Sequence, residues 1–189
     1  AMKPCHILCT DGKVLSVSDF RKSEKKPIAV VFHINHDENT EGNGYAVYLW
    51  DLEPLAFADS IGVKQNTSAD ITALDGFENT FALLDARETS SPLAEKVFDM
   101  WRYGQSAYVP SVAQMRLLYH AKEQINPIIK MCGGDTISVE ADDCWYWTST
   151  EVNEQQTAKA WLYSMGSGTI HDTPKIQAHK SRAIITLRD

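Results

Sequence analysis

The sequence predicts an α+β domain in which antiparallel sheets accompany two main helical regions. Short apolar and aromatic segments with the pattern of strands lie near both ends of the chain, whereas apolar residues in the middle recur at helical spacing. The chain has 189 residues, of which 43% are hydrophobic. A chain of this size can bury one sizeable core. We therefore expect a single domain over residues 1–189.

Two hairpins are predicted for the N-terminal part. Residues 5–15 alternate loosely and turn at Asp11-Gly12, a pair that tolerates the positive φ angles of a tight turn. After a charged link, residues 28–32 form a continuous apolar run with the length of a buried strand. Its expected partner is residues 44–50, beyond a polar turn.

The middle of the chain predicts an irregular loop followed by helices. Residues 56–73 are polar and lack periodicity. From Asp75 apolar residues recur at helical spacing in two pieces, and Pro92 begins the second piece. Ser111 is the expected N-cap of an amphipathic helix, the second helical region. Pro127 is expected to break that helix in two.

Strands and turns are predicted for the C-terminal part. Gly133-Gly134 ends the second helical region, and residues 145–151 alternate aromatic with small hydroxyl side chains, as in a central strand. Residues 166–168 offer a hairpin turn. The last strand is predicted at residues 181–187, beside the N-terminal hairpins, so that the termini approach one another.

Charge and hydropathy exclude two classes of partner. The net charge of −7 and the pI near 5.3 argue against binding of nucleic acid. The one basic run, residues 21–26, predicts a solvated loop. No apolar run reaches the length of about 20 residues that membrane insertion needs, and the N-terminus lacks the apolar core of a signal peptide. Ala1 resembles an expression scar, so we expect Met2 to be the native start.

The four cysteines fit neither a zinc ribbon nor a C-x-x-C redox pair. Cys5 and Cys9 would lie too far apart for a disulfide in an extended segment. Cys132 and Cys144 flank a loop short enough to be closed by a disulfide, although we expect buried thiols.

No residue pattern predicts catalysis or a bound cofactor. His33 and His36 are three apart, and His171 and His179 are eight apart, without cysteine or carboxylate partners at zinc spacing. A Gly-x-Ser-x-Gly nucleophile motif is absent. Glu140, Asp142 and Asp143 could gather a cation, but the pattern is more typical of solvated charge. We expect no cofactor, no metal and no catalytic residue.

Several segments together carry a family resemblance. In order they are residues 11–13, 27–32, 75–80, 108–111, 118–119, 146–151, 160–161 and 182–184. With this order and spacing the chain, from about residue 7 to residue 187, resembles bacterial domains of the C-type lectin-like fold. It departs from the family at Ala107, where a tryptophan is usual, and it lacks the Glu-Pro-Asn, Gln-Pro-Asp and Trp-Asn-Asp motifs of calcium-dependent sugar binding.

The resemblance implies recognition of a ligand. Related proteins include surface adhesins and the variable proteins of diversity-generating retroelements, whose partners are cell-surface proteins or glycans. A structural subunit of a fimbria or phage tail is the alternative. An enzyme related to formylglycine-generating enzymes is a further alternative, but no cysteine follows Cys144 to supply the reactive pair. The family implies a cell-surface or virion location, for which this sequence shows no export signal.

Candidate ligand-binding residues are those predicted in turns and on the exposed edge of the last sheet. Trp147 and Trp161 are expected in the core, because strand alternation places Tyr146 on the face opposite to Trp147 and we expect one buried face. The candidates are Asn153, Glu154, Gln155, Gln156, Tyr163, Ser167, His171 and His179. Aromatic and amide side chains of this kind make adaptable contacts. Each could equally belong to an ordinary polar surface.

Overall fold

The computed structural model describes residues 1–103 and 106–188, so positions 104–105 and 189 of the predicted domain lie outside the described residues. The described ranges contain four α-helices and antiparallel strands in three sheets, which confirms the α+β prediction. The helices are α1 (Val17–Lys22), α2 (Gly76–Asp85), α3 (Pro92–Phe98) and α4 (Val112–Met131), with a 3₁₀ segment at Asp99–Tyr103. The strands are β1 (Ile7–Cys9), β2 (Val14–Leu15), β3 (Pro27–Ile34), β4 (Gly44–Tyr48), β5 (Leu52–Ala56), β6 (Trp145–Glu151), β7 (Lys159–Ser164), β8 (Ile170–Pro174), β9 (Ala178–Ser181) and β10 (Ile184–Leu187).

The largest sheet has the order β10-β4-β3-β1-β2, with every neighbour antiparallel. Both predicted N-terminal hairpins are present, and Gly12 has the positive φ of 86° that its turn requires. Val30 and Val31 are both completely buried, but in different core clusters. Because β3 is covered on both faces, its sequence is a continuous apolar run. β10 pairs with β4, as predicted for the last strand.

The other two sheets are the meander β6-β7-β8 and the two-stranded ribbon β5-β9. The prediction of one last strand over residues 181–187 is wrong, because the segment divides into β9 and β10. Between them Arg182 is completely buried and donates hydrogen bonds to the Tyr48 and Asp135 carbonyls and to the Asp51 carboxylate. These bonds fix the chain where it crosses from one sheet to the other. Strand β5 was not predicted.

Helices α2, α3 and α4 follow their sequence signals except at one position. Ser111 caps α4 and forms a capping box with Gln114, and Pro92 begins α3. The predicted break at Pro127 is wrong, because α4 is continuous from Val112 to Met131. Ile125 and Ile129, on either side of the proline, are completely buried. Packing of this apolar face onto β3 maintains the helix across the missing N–H. Helix α1 lies in the segment predicted to be a charged link.

β6 is buried on both faces, so the prediction of one buried face is wrong. Tyr146 and Trp147 are each 0% exposed and belong to different core clusters. α4 contacts β6 on the Tyr146 side, while Trp147 packs in the cluster that includes Phe57 and Leu93. The core position of Trp147 is confirmed, whereas Trp161 is only partly buried.

Candidate functional site: the cleft between β8 and β9

A cleft with a volume of about 550 Å³ lies between the meander β6-β7-β8 and the ribbon β5-β9. We call it the β8–β9 cleft. It is lined by Pro54, Asp142, Asp143, Trp145, Leu162, His171, Thr173, Pro174, Gln177, Ala178, His179 and Lys180. Its volume falls within the range of about 300–1,000 Å³ that is typical of small-molecule sites.

The register of the meander explains why the cleft forms. Leu162 of β7 pairs with Trp147 on one side and with His171 on the other, so these side chains share one face. The short ribbon covers only part of this face: His179 packs edge-on against Trp147, with ring centroids 5.3 Å apart. Trp145, two residues before Trp147, shares its face but remains partly exposed in the cleft.

Two histidines lie on the walls of the cleft. His171 Nδ1 is 3.2 Å from Thr173 Oγ1, and the ring meets Trp145 edge-on at 6.1 Å between centroids. His179 Nε2 is 3.0 Å from Gln177 Oε1. Burial, together with the nearby His171, lowers the pKa of His179 below its ordinary value of 6.5. His179 is therefore neutral at pH 7, and each of its nitrogens is a donor or an acceptor according to the tautomer.

The one lysine of the cleft lining is held by acidic side chains. Lys180 Nζ is 2.7 Å from Asp143 Oδ1 and 3.4 Å from Asp51 Oδ2, and it lies over the Tyr146 ring. The hydrogen bond from Lys180 lowers the pKa of Asp143 below its ordinary range. Asp142, beside this pair, is exposed. The cleft therefore contributes no excess positive charge.

A buried ion pair fixes the connection between the two walls. Lys175, which follows β8, is completely buried and donates to the Glu151 carboxylate of β6 and to the Val63 carbonyl. Glu151 also accepts hydrogen bonds from the Gln65 N–H at 3.1 Å and from the Thr67 N–H and hydroxyl, each at 3.0 Å. Burial lowers the pKa of Lys175, although the hydrogen bond to Glu151 opposes this shift. The β8–β9 connection is thus attached to the core.

The structure brings only two of the predicted ligand-binding residues together. His171 and His179 both line the β8–β9 cleft. Residues 153–156 lie in the turn between β6 and β7, and Ser167 lies in the turn between β7 and β8. Successive turns of an antiparallel meander are at opposite ends of the sheet, so these two groups are separated. Tyr163 is only 1% exposed, so it lies in the core and is not part of the candidate surface.

Trp145, Gln177 and Lys180 are among the residues of the cleft lining that sequence reasoning missed. Trp145 belongs to the aromatic strand that we interpreted as structural and not as part of a binding site. Gln177 and Lys180 carry no motif, and they join the site through the pairing of β9 with β5. The sequence gives no short-range signal for that pairing, since the two strands are more than a hundred residues apart.

All four cysteines are free thiols, and burial raises the pKa of Cys132 to about 11, which disfavours a nucleophilic thiolate. In the described part of the chain, no group of three or more His, Cys, Asp or Glu side chains could hold a metal ion. Among the same residues, no helix combines the length and apolarity needed to cross a membrane.

Comparison with known proteins gives a likeness in fold. No family model matches the sequence, and no curated protein matches it significantly. A solved structure of a fimbrial protein from Bacteroides ovatus superposes with a TM-score of 0.77 and 15% sequence identity, covering 98% of this chain and 49% of that protein. The chain thus has the fold of part of a fimbrial protein and spans about half of that protein's length.

Proposed function

We propose that this chain is a non-enzymatic recognition module, a single domain of lectin-like type that binds a cell-surface protein or glycan. The observation that carries this proposal is the β8–β9 cleft, where an aromatic strand that is otherwise covered leaves Trp145 partly exposed beside His171 and His179. Because the strands around the cleft are paired and its connection is attached to the core, binding there needs little ordering of loops.

The turn residues of the meander remain part of the proposal as peripheral contacts. Asn153, Glu154 and Gln155 are exposed at one end of the sheet, and Ser167 is exposed at the other. A ligand larger than the cleft would extend to one of these turns but not to both.

A matched pair of bulky substitutions tests the proposal. Ala178→Trp places an indole in the cleft, whereas Ile176→Trp places one at a position that is 50% exposed and outside the cleft lining. Wild type and both variants are screened against a library of cell-surface proteins and glycans. We expect Ala178→Trp to abolish the binding that wild type and Ile176→Trp share. Equal binding by all three proteins, or no binding by any of them, would contradict the proposal.

A structural subunit of a fimbria is the second candidate. It is favoured by the similarity in fold to a fimbrial protein over nearly the whole chain. The two functions differ in where the protein is found on a surface appendage. Immunogold labelling along the shaft would support the structural role, and labelling confined to the tip would support recognition.

A further inference from the structure

We propose that the ligand of the β8–β9 cleft is an uncharged oligosaccharide whose sugar rings pack on Trp145. This inference rests on the proposed recognition function and names its ligand class. It follows from three properties of the cleft: its partly exposed indole, its polar side chains and its charge balance.

The indole of Trp145 provides the apolar contact that a sugar ring needs. One face of a pyranose presents C–H groups with a small positive charge, and the face of an aromatic ring is the negative part of its quadrupole. Trp145 lies on the same strand face as Trp147 and next to Leu162 in the cleft lining. The indole is held by the strand, so packing against it does not require ordering of a mobile loop.

Polar side chains surround this apolar floor. Gln177, His179 and His171 contribute an amide and two imidazoles, which are donors and acceptors in fixed positions. A sugar hydroxyl both donates and accepts, so such groups match several hydroxyls at once. The free carboxylate oxygens of Asp142, exposed at the rim, are further acceptors.

The charges of the cleft disfavour an anionic ligand. Its one lysine, Lys180, is paired with Asp143 and Asp51, and the lining contains a second carboxylate, Asp142. A sulfate, phosphate or sialic acid group would meet these carboxylates without an unpaired cation. The ligand is therefore uncharged.

Titration with defined oligosaccharides tests the inference. Neutral oligomers of glucose, galactose, mannose and N-acetylglucosamine are compared by calorimetry with sulfated and sialylated oligosaccharides. We expect at least one neutral oligomer to bind. Trp145→Ala should weaken its binding by about tenfold or more, as is usual when an aromatic anchor is truncated. Trp50→Ala makes the same change at a tryptophan that is 46% exposed outside the cleft, and its affinity should equal that of wild type.

Gln177→Ala is a second test of the cleft, which remains valid if the Trp145→Ala variant does not fold. Gln177 is exposed, so its truncation leaves the fold intact while removing an amide from the cleft. It should also weaken binding of the neutral oligomer. Preference for the sulfated or sialylated compounds, or binding that neither variant changes, would overturn the inference.

The remaining outcomes separate the two proposals. Capture of a protein in a Trp145-dependent manner, without binding of any oligosaccharide, would overturn the sugar class and leave the recognition function standing. If neither a protein nor a glycan binds, both the recognition function and the sugar class are overturned.

Discussion

Glu151 and Lys175 form an ion pair in the interior of the protein, where both side chains are completely buried. The pair joins the end of β6 to the connection between β8 and β9. Glu151 also receives the Gln65 and Thr67 hydrogen bonds from the long irregular segment that precedes α2. One carboxylate therefore fixes both a wall of the β8–β9 cleft and the largest loop of the fold.

Removing the lysine of this pair is expected to destabilise the protein strongly. Lys175→Met leaves the Glu151 carboxylate buried without a cation, and the loss of one partner of a buried ion pair costs about 3–5 kcal/mol. Urea unfolding of wild type and variant measures the change. Lys96→Met is the matched control, because Lys96 pairs with Glu53 on the surface and should contribute little. Similar unfolding midpoints for the two variants would contradict the role assigned to the buried pair.

Replacing the proline inside α4 is expected to stabilise the protein. Pro127 lacks the N–H that would complete the helix, and a proline in a helix interior costs about 3 kcal/mol or more. Pro127→Ala should therefore raise the thermal unfolding midpoint. Pro92→Ala is the control, because a proline at the first turn of α3 fits its position and its removal brings no such gain. A lower midpoint for Pro127→Ala would mean that the proline is needed for the path of α4.

The N-cap of α4 is expected to contribute more than the N-cap of α1. Ser111 Oγ accepts from the Gln114 N–H and donates to the Ala73 carbonyl at 2.7 Å, and Ser111 is completely buried. Ser111→Ala should lower the free energy of unfolding by about 1–2 kcal/mol. Ser16→Ala, at the start of a six-residue helix without buried residues, should have a smaller effect. The unfolding curves of both variants check this order, and the reverse order would refute it.

Acid is expected to destabilise the protein through His179. The unfolded chain binds a proton near the ordinary histidine pKa of about 6.5, whereas burial and His171 lower the pKa of His179 in the folded state. The unfolded state binds more protons between these two values, so the free energy of unfolding falls as the pH decreases from about 6.5 through the folded pKa. His179→Gln should flatten this part of the stability curve.

Chemical denaturation at a series of pH values measures this dependence. His120→Gln serves as the control, since His120 is exposed on α4 and away from the cleft. The prediction fails if His179→Gln and wild type lose the same stability between pH 7 and the acid end of the series.

Local signals in the sequence were sufficient for most elements of the fold. The continuous apolar run of β3, the turn at Gly12 and the cap at Ser111 each express a preference that acts over a few residues. The prediction of a break at Pro127 was wrong, because burial of the apolar face of α4 stabilises the helix by more than the proline destabilises it locally. The ribbon of β5 and β9 was not predicted, because the pairing of these strands depends on a chain crossing that Arg182 fixes.

The candidate site was harder to predict than the fold, for a physical reason. Trp145, His171 and His179 meet only because the register of β6, β7 and β8 and the position of β9 bring them together. Register decides which face each side chain occupies, and a shift of one residue exchanges the inside for the outside. Tyr163 illustrates this: it was predicted at the surface, and its position in β7 places it in the core.

Mapping of the bound ligand by nuclear magnetic resonance shows most directly whether the β8–β9 cleft is the binding site. The labelled protein is titrated with the compound or protein that the library screen selects, and the shifts of backbone amides are recorded. We expect the large shifts to concentrate in residues 142–145, 171–174 and 177–180, which contain most of the lining of the β8–β9 cleft. Shifts centred on the turn at residues 153–156, or on β10 in the main sheet, would contradict it.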